Sequence, residues 1–283
     1  MAWNPGQYLK FEAERTRPAR DLAAAVSLDA PESVLDAGCG PGNSIAVLAR
    51  RWPAARLTGL DFSSEMLETA RRKQPGASFV QGDLDGDLSG LGEFDVVFSN
   101  AVLQWMPDGG KTAQNLFRLV KPGGALAVQV PFGQPAPAAG GRLENGAAHR
   151  LMAQTAKEPR FAPRTAGVNR LYTMDGAGIY DLFAGAGPLS VWETCYCHVL
   201  DGYEGLAEWF RGSGMRPYLD ALPDGEERRA FVRRFLERAA AEFPPAADGK
   251  LLLWFRRLFF VVYKEGGKEG RHVVQPTADP GIL

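Results

Sequence analysis

The residues best placed to do chemistry lie between positions 36 and 84. Asp36-Ala37-Gly38-Cys39-Gly40-Pro41-Gly42-Asn43 follows a short apolar run at 33–37 and opens onto a helix-forming stretch. Glycines at a strand-to-helix turn permit unusual backbone angles and let a ligand reach bare N–H groups. The spacing is G-x-G-x-G. A dinucleotide fingerprint would need glycine where Asn43 stands, and a phosphate loop would need a Gly-Lys-Ser/Thr that is absent. The loop therefore has the position for a nucleotide-like ligand and the wrong spacing for the phosphates of NAD or ATP. Asp61 ends a second strand, 23 residues after Gly38, where a carboxylate can accept both hydroxyls of a ribose. Asp83 follows a third strand, where it could meet the exocyclic amine of an adenine with Leu84 against the ring. Either acid alone suits a helix cap or a solvated turn. Three successive strand ends in register describe a site at the carboxyl edge of a parallel sheet.

The elements that must hold these residues alternate. Residues 5–28 read as helical with a break before Pro18; strands follow at 33–37, 56–60, 78–81, 94–99 and 125–130. Between them come helices at 43–52, from a Ser63 cap to about 72, and at 112–120, the last ended by Pro122-Gly123-Gly124. Such alternation implies an α/β fold with a doubly wound, mostly parallel sheet. Two later strand candidates, 190–200 and 251–264, bring the expected total to seven. Helical material at 147–157 and an amphipathic helix at 226–243, with Phe231, Phe235, Ala239 and Phe243 four apart, predict an added helical cap. The expected division is a ligand-binding core with N-terminal helices over 1–132, a cap and substrate region over 133–250 with a late core strand, a final strand over 251–264, and a tail from 265. Residues 133–147, rich in Gly, Ala and Pro, read as a loop or lid.

Composition narrows the partners. Among 283 residues, 32 Lys+Arg against 33 Asp+Glu give a net charge of −1, which offers no bulk attraction to nucleic acid. The apolar stretch at 251–263 is interrupted by Arg256 and Arg257 and falls short of a membrane span. Three cysteines cannot build a disulfide framework, and the first twenty residues carry no apolar signal region, so the expected location is cytoplasmic. Cys195 and Cys197, two apart in a strand, read as packing thiols. The scattered His149, His198 and His272 suggest no metal, with His198 a surface or satisfied strand histidine. The oligomeric state is left open.

The set DAGCGPG (36–42), GLDFS (59–63), GDL (82–84) and PGGALAV (122–128) resembles the class I S-adenosylmethionine-dependent methyltransferases. WNP (3–5), AERTRP (13–18), RWPAARLTG (51–59), LQWMPD (103–108) and GMRPYL (214–219) are similar to the trans-aconitate 2-methyltransferase group. The resemblance runs from Trp3 to about Lys264. It implies that Gly38, Gly40 and their neighbours hold the methionine part of S-adenosylmethionine, Asp61 the ribose, and Asp83 and Leu84 the adenine. Asn100 would lie near the methionine moiety and Tyr8 would close over the cofactor, with Cys39, Asn43, Phe62 and Met66 completing the set.

The acceptor reading follows from what is missing. The fourth strand ends Ser99-Asn100-Ala101-Val102, without the Pro-Pro-aromatic run of enzymes that methylate amino nitrogens or the Pro-Cys nucleophile of cytosine C5 enzymes. A small-molecule acceptor remains. The resemblance implies a carboxylate O-methyltransferase that forms a monomethyl ester of a small polycarboxylate, with positioning rather than a catalytic base. Arg15, Arg17, Arg211 and Arg216 are the candidate carboxylate clamps, Arg216 foremost, with Gln104, Trp105, Tyr172, Tyr196 and Trp209 as neighbours. Another small-molecule O- or C-methyltransferase, or a cofactor-binding module without turnover, are the alternatives.

Overall fold

The computed structural model describes residues 12–132, 142–168, 174–223 and 225–266. The chain first forms α1 (Glu12–Ala25), then β1 (Ser33–Ala37), α2 (Asn43–Arg51), β2 (Arg56–Asp61), α3 (Ser64–Lys73) and β3 (Ser78–Gln81). After β4 (Phe94–Asn100), α4 (Gly109–Arg118) and β5 (Val120–Pro131) come β6 (Leu143–Glu144), α5 (Asn145–Ala156), α6 (Ala162–Thr165), α7 (Gly176–Phe183) and β7 (Leu189–Leu200). The last elements are α8 (Gly202–Arg211), α9 (Arg216–Ala221), α10 (Glu226–Glu242) and β8 (Leu251–Tyr263).

One sheet organises the molecule. Strands β3, β2, β1, β4 and β5 run parallel in that order, and β8 joins β5 antiparallel. One edge of β8 carries β5 and then the two-residue β6; β7 pairs along the other. The sheet of the described residues thus has eight strands rather than seven. The extra one falls in a stretch expected to be loop, because two residues leave no period-2 signal to read. Every residue of β1 is buried, as both-face coverage of a central parallel strand requires.

Three apolar clusters hold the layers. On one face, Leu22, Ala23 and Val26 beyond α1's middle and Ile45 and Leu48 of α2 pack against Val34, Phe98, Phe259 and Val261. On the other, Leu116 of α4 and Ile179 and Phe183 of α7 meet Leu35, Val97, Leu126 and Phe260. A third cluster joins α5, α8 and α10 to the first half of β8 through Leu151, Phe210, Phe231, Phe235, Leu251 and Leu253. The strand β8 therefore anchors the helical layer at one end and the sheet core at the other.

Two expectations are corrected here. Pro18 lies inside α1 rather than breaking it. A proline in a helix interior costs roughly 3 kcal/mol, and the burial of Ala19, Leu22 and Ala23 against the sheet offsets it. Helix α4 starts at Gly109, three residues early, because the Asp108 carboxylate accepts the Lys111 N–H at 2.9 Å as an N-cap.

Phe235 is fully buried between α10 and its neighbours. Phe235→Ala should cost about 3–5 kcal/mol in urea-induced unfolding, the range for emptying a large core site; a loss under about 1 kcal/mol would mean the helical layer is not packed as described.

Candidate active site

The glycine loop is tied to β2 by its own backbone. Gly38 N–H and Cys39 N–H both donate to the Leu60 carbonyl, at 2.7 and 2.9 Å. Gly38 has φ +79°, and a Cβ there would sit 2.4 Å from the Val102 side chain, so the position excludes other residues. Gly40, φ +52°, faces open space and donates its N–H to Asp61 Oδ2 at 2.8 Å. The other oxygen, Oδ1, accepts the Ser63 N–H at 2.9 Å. Ser63 caps α3 by accepting the Met66 N–H at 3.3 Å. The Asp61 carboxylate is thereby fixed between the loop and the start of a helix, each oxygen keeping a lone pair for a ligand.

A cleft opens over this arrangement. Its wall brings together Gly38, Cys39, Gly40, Asn43, Asp61, Met66, Asn100 and Trp105 of the expected set. It adds Thr16, Ala19, Pro41, Ser44, Ala101 and Val102. Ala101 carried no signal in the sequence, yet it holds φ +59°, its N–H on the Gln129 carbonyl at 2.8 Å. A non-glycine residue in that region stores strain, a recurrent feature of functional turns. Asn43 Nδ2 and Asn100 Oδ1 are buried without a hydrogen-bond partner, so the wall offers a ligand one donor and one acceptor.

Other expected residues stand elsewhere. Phe62 is 72% exposed, Leu84 belongs to the sheet core, and Asp83 is exposed with Oδ1 accepting the Asp85 N–H. Gln104 is buried behind the wall, its Nε2 donating to the Ala101 carbonyl at 2.7 Å. Arg17 lies 5.1 Å over the Tyr196 ring, and the Tyr196 hydroxyl donates to Asp21 Oδ2 at 2.6 Å. Arg211 lines a separate groove with Arg229 and Glu237, and Arg216 pairs with Asp220 at 3.4 Å. Trp209 is buried against His198, with ring centroids 4.3 Å apart, so that histidine is a buried strand residue. Tyr8, Tyr172 and the Arg15 side chain lie outside the described residues. Cys195 and Cys197 do share a face of β7 but are exposed, not packed, because the buried face is that of Tyr196 and His198. Arg257, outside the expected set, is buried on β8 and donates Nη1–H to Gln129 Oε1 at 3.1 Å.

Burial sets the electrostatics below the loop. Desolvation pushes the Asp36 carboxyl up to about 7; the hydrogen bond from Ser44 Oγ opposes this and the Asp61 charge adds to it. Burial and those two carboxylates push the Cys39 thiol up as well, which keeps it protonated and removes it as a nucleophile. Between the unfolded value of 3.8 and about 7, folded Asp36 keeps a proton that the unfolded chain has lost. Its contribution to stability is then complete below the lower value and lost as the pH rises through the upper one, a swing of up to roughly 4 kcal/mol. Desolvation holds His149 down at about 4, which acts in the opposite direction. The difference in unfolding free energy between the wild type and Asp36→Asn isolates the carboxyl: it should shift against the wild type from pH 4 to 7. A difference constant over that range would mean that Asp36 is ionised throughout.

The comparisons with known proteins agree with this geometry. Residues 34–124 match the family model described as a methyltransferase domain. In fold, the chain is similar to the YcgJ protein of Bacillus subtilis, with a TM-score of 0.57 at 14% identity over 89% of this chain and 100% of that one. A Bacillus halodurans structure gives 0.56 at 16% identity, over 88% and 98%. Proteins named trans-aconitate 2-methyltransferase are 43% identical in Rhodopseudomonas palustris (strain BisB18), over 93% of this chain and 99% of the relative. The one from Methylobacterium nodulans is 45% identical, over 92% and 97%. With its glycine loop, its strand-end aspartate and this near full-length identity, the chain is a member of the trans-aconitate 2-methyltransferase family of class I methyltransferases.

Proposed function

We propose that this protein moves the methyl group of S-adenosylmethionine onto a carboxylate oxygen of trans-aconitate or a similar small polycarboxylate, releasing a monomethyl ester. The observation that carries the reading is the Asp61 carboxylate, locked by the Gly40 and Ser63 N–H groups in the wall of the cleft. The names of the relatives narrow the acceptor. S-adenosylmethionine would supply a sulfonium methyl whose carbon a carboxylate oxygen attacks in line, the new O–C bond forming as the C–S bond breaks and its electron pair leaving on the sulfur of S-adenosylhomocysteine. Asp61 is suited to the ribose hydroxyls, Gly38 and Gly40 bring backbone close to the ligand, and the unpartnered Asn43 and Asn100 atoms are placed to meet its polar groups. Asp83, Leu84 and Phe62 lie outside the cleft wall, so their expected cofactor roles rest on the resemblance alone, whereas Met66 lies in the wall.

The acceptor needs no base. A carboxylic acid with a pKa of about 4 is an anion at neutral pH, so the chain's task is to hold two reactants in contact and exclude water. Trp105 of the wall, close to Asn100 and Ala101, supplies an apolar side to that contact.

Incubation with labelled S-adenosylmethionine and a panel of di- and tricarboxylates tests the proposal. Label should enter an alkali-labile monoester of trans-aconitate or a near analogue. Transfer only to phenols or carbon acids would refute it. Asp61→Ala should weaken S-adenosylmethionine binding by roughly 2–3 kcal/mol in calorimetry, the value of charge-assisted hydrogen bonds. Unchanged affinity in a folded variant would take Asp61 out of the site.

A further inference from the structure

A buried arginine, Arg257, lies at one end of the sheet's carboxyl edge. It sits opposite Pro131 of β5 and Thr194 of β7, at the carboxyl edge of the sheet, with a side chain that is buried. Ligands of such sheets collect at that edge. Its Nη1–H donates to Gln129 Oε1, and Gln129 is the register partner of Asn100, which lines the cleft. A polar line therefore runs along the edge, from β8 through β5 to the cleft wall on β4.

A second guanidinium approaches the same place from α1. Arg17 lies 5.1 Å over the ring of Tyr196, one position past Cys195 and on the same face of β7 as Thr194. The positive charges of Arg257 and Arg17 both reach the Tyr196 hydroxyl, where burial and Asp21 oppose them. Thr16, next to Arg17 in α1, is itself in the cleft wall. The guanidinium of Arg257 also lies 4.8 Å from the Phe255 ring centroid, which restrains its plane. Two planar cations, one from α1 and one from β8, thus converge beside the cleft.

We infer that Arg257, assisted by Arg17 across Tyr196, binds the carboxylates of the acceptor that do not react. This rests on the function proposed above and names the specificity determinant of that same site. A tricarboxylate presents two such groups, and a guanidinium fork matches each with two parallel N–H bonds. An ammonium cannot.

The test compares wild type, Arg257→Lys and Arg17→Ala on trans-aconitate and on dicarboxylates that each lack one of its carboxyl groups. S-adenosylhomocysteine affinity and the thermal midpoint serve as controls. Arg257→Lys should lower kcat/KM for the tricarboxylate by roughly 10- to 100-fold, the loss expected from degrading a bidentate charged contact. Its effect on at least one dicarboxylate should be much smaller, so the tri- to dicarboxylate ratio collapses while cofactor affinity holds. Arg17→Ala, on an exposed helix face, should lower the same ratio and decides the matter if Arg257→Lys does not fold. A folded Arg257→Lys with the wild-type ratio, or that ratio in Arg17→Ala when the lysine variant is unfolded, overturns the inference alone. A wild type that esterifies no tricarboxylate overturns the proposed function with it.

Discussion

The hydrogen bond from the Gly40 N–H to the Asp61 carboxylate is the contact on which the site depends. It joins the tip of the first turn to the end of the second strand, and it fixes both the loop and the acid in one step. The paired donation of Gly38 and Cys39 to the Leu60 carbonyl braces the same junction from below. Because β1 and β2 are parallel neighbours in register from Ser33 to Ala37, any shift of one strand would pull loop and carboxylate apart. A shaped ligand cradle made of backbone needs this, since its donors cannot rotate to find a displaced partner.

The cradle is not at rest electrostatically. Asp36 is buried under it, close enough to Asp61 for their charges to repel, and the Cys39 thiol is held protonated between them. Ala101 adds backbone strain at the opposite wall. Such groups cost stability in the empty fold and are tolerated where a ligand relieves them. The long β8 strand extends the same edge outward: its second half belongs to the sheet core, its first half carries the helical layer, and Arg257 lies between the two.

Much of this was legible in the sequence, for physical reasons. Strands β1, β2, β3 and β4 stand out as short runs feeding a parallel sheet, and Ser63 announces its helix by side-chain chemistry alone. The position of Asp61 was legible as a strand-end carboxylate in register with the glycine loop, and its hydrogen bond from Gly40 bears that position out. Pro18 was misread because local sterics forbid what tertiary burial enforced. The pairing of Arg216, the foremost expected clamp, with Asp220 four residues on is visible in the sequence as a helical spacing. Arg256 and Arg257 look alike in the run at 251–263, yet a strand sends them to opposite faces: Arg256 pairs with Glu193 on the outer side, and Arg257 turns inward. Only the pairing of β8 with β5 and β7 reveals which is which.

A crystal structure of the protein with S-adenosylhomocysteine bears most directly on the central claim. Ribose hydroxyls should lie on the Asp61 carboxylate, with Gly40 still donating to it, and the methionine part between the glycine loop and Asn100. A ligand seated elsewhere, or one that leaves Asp61 untouched inside an otherwise unchanged loop, would contradict it.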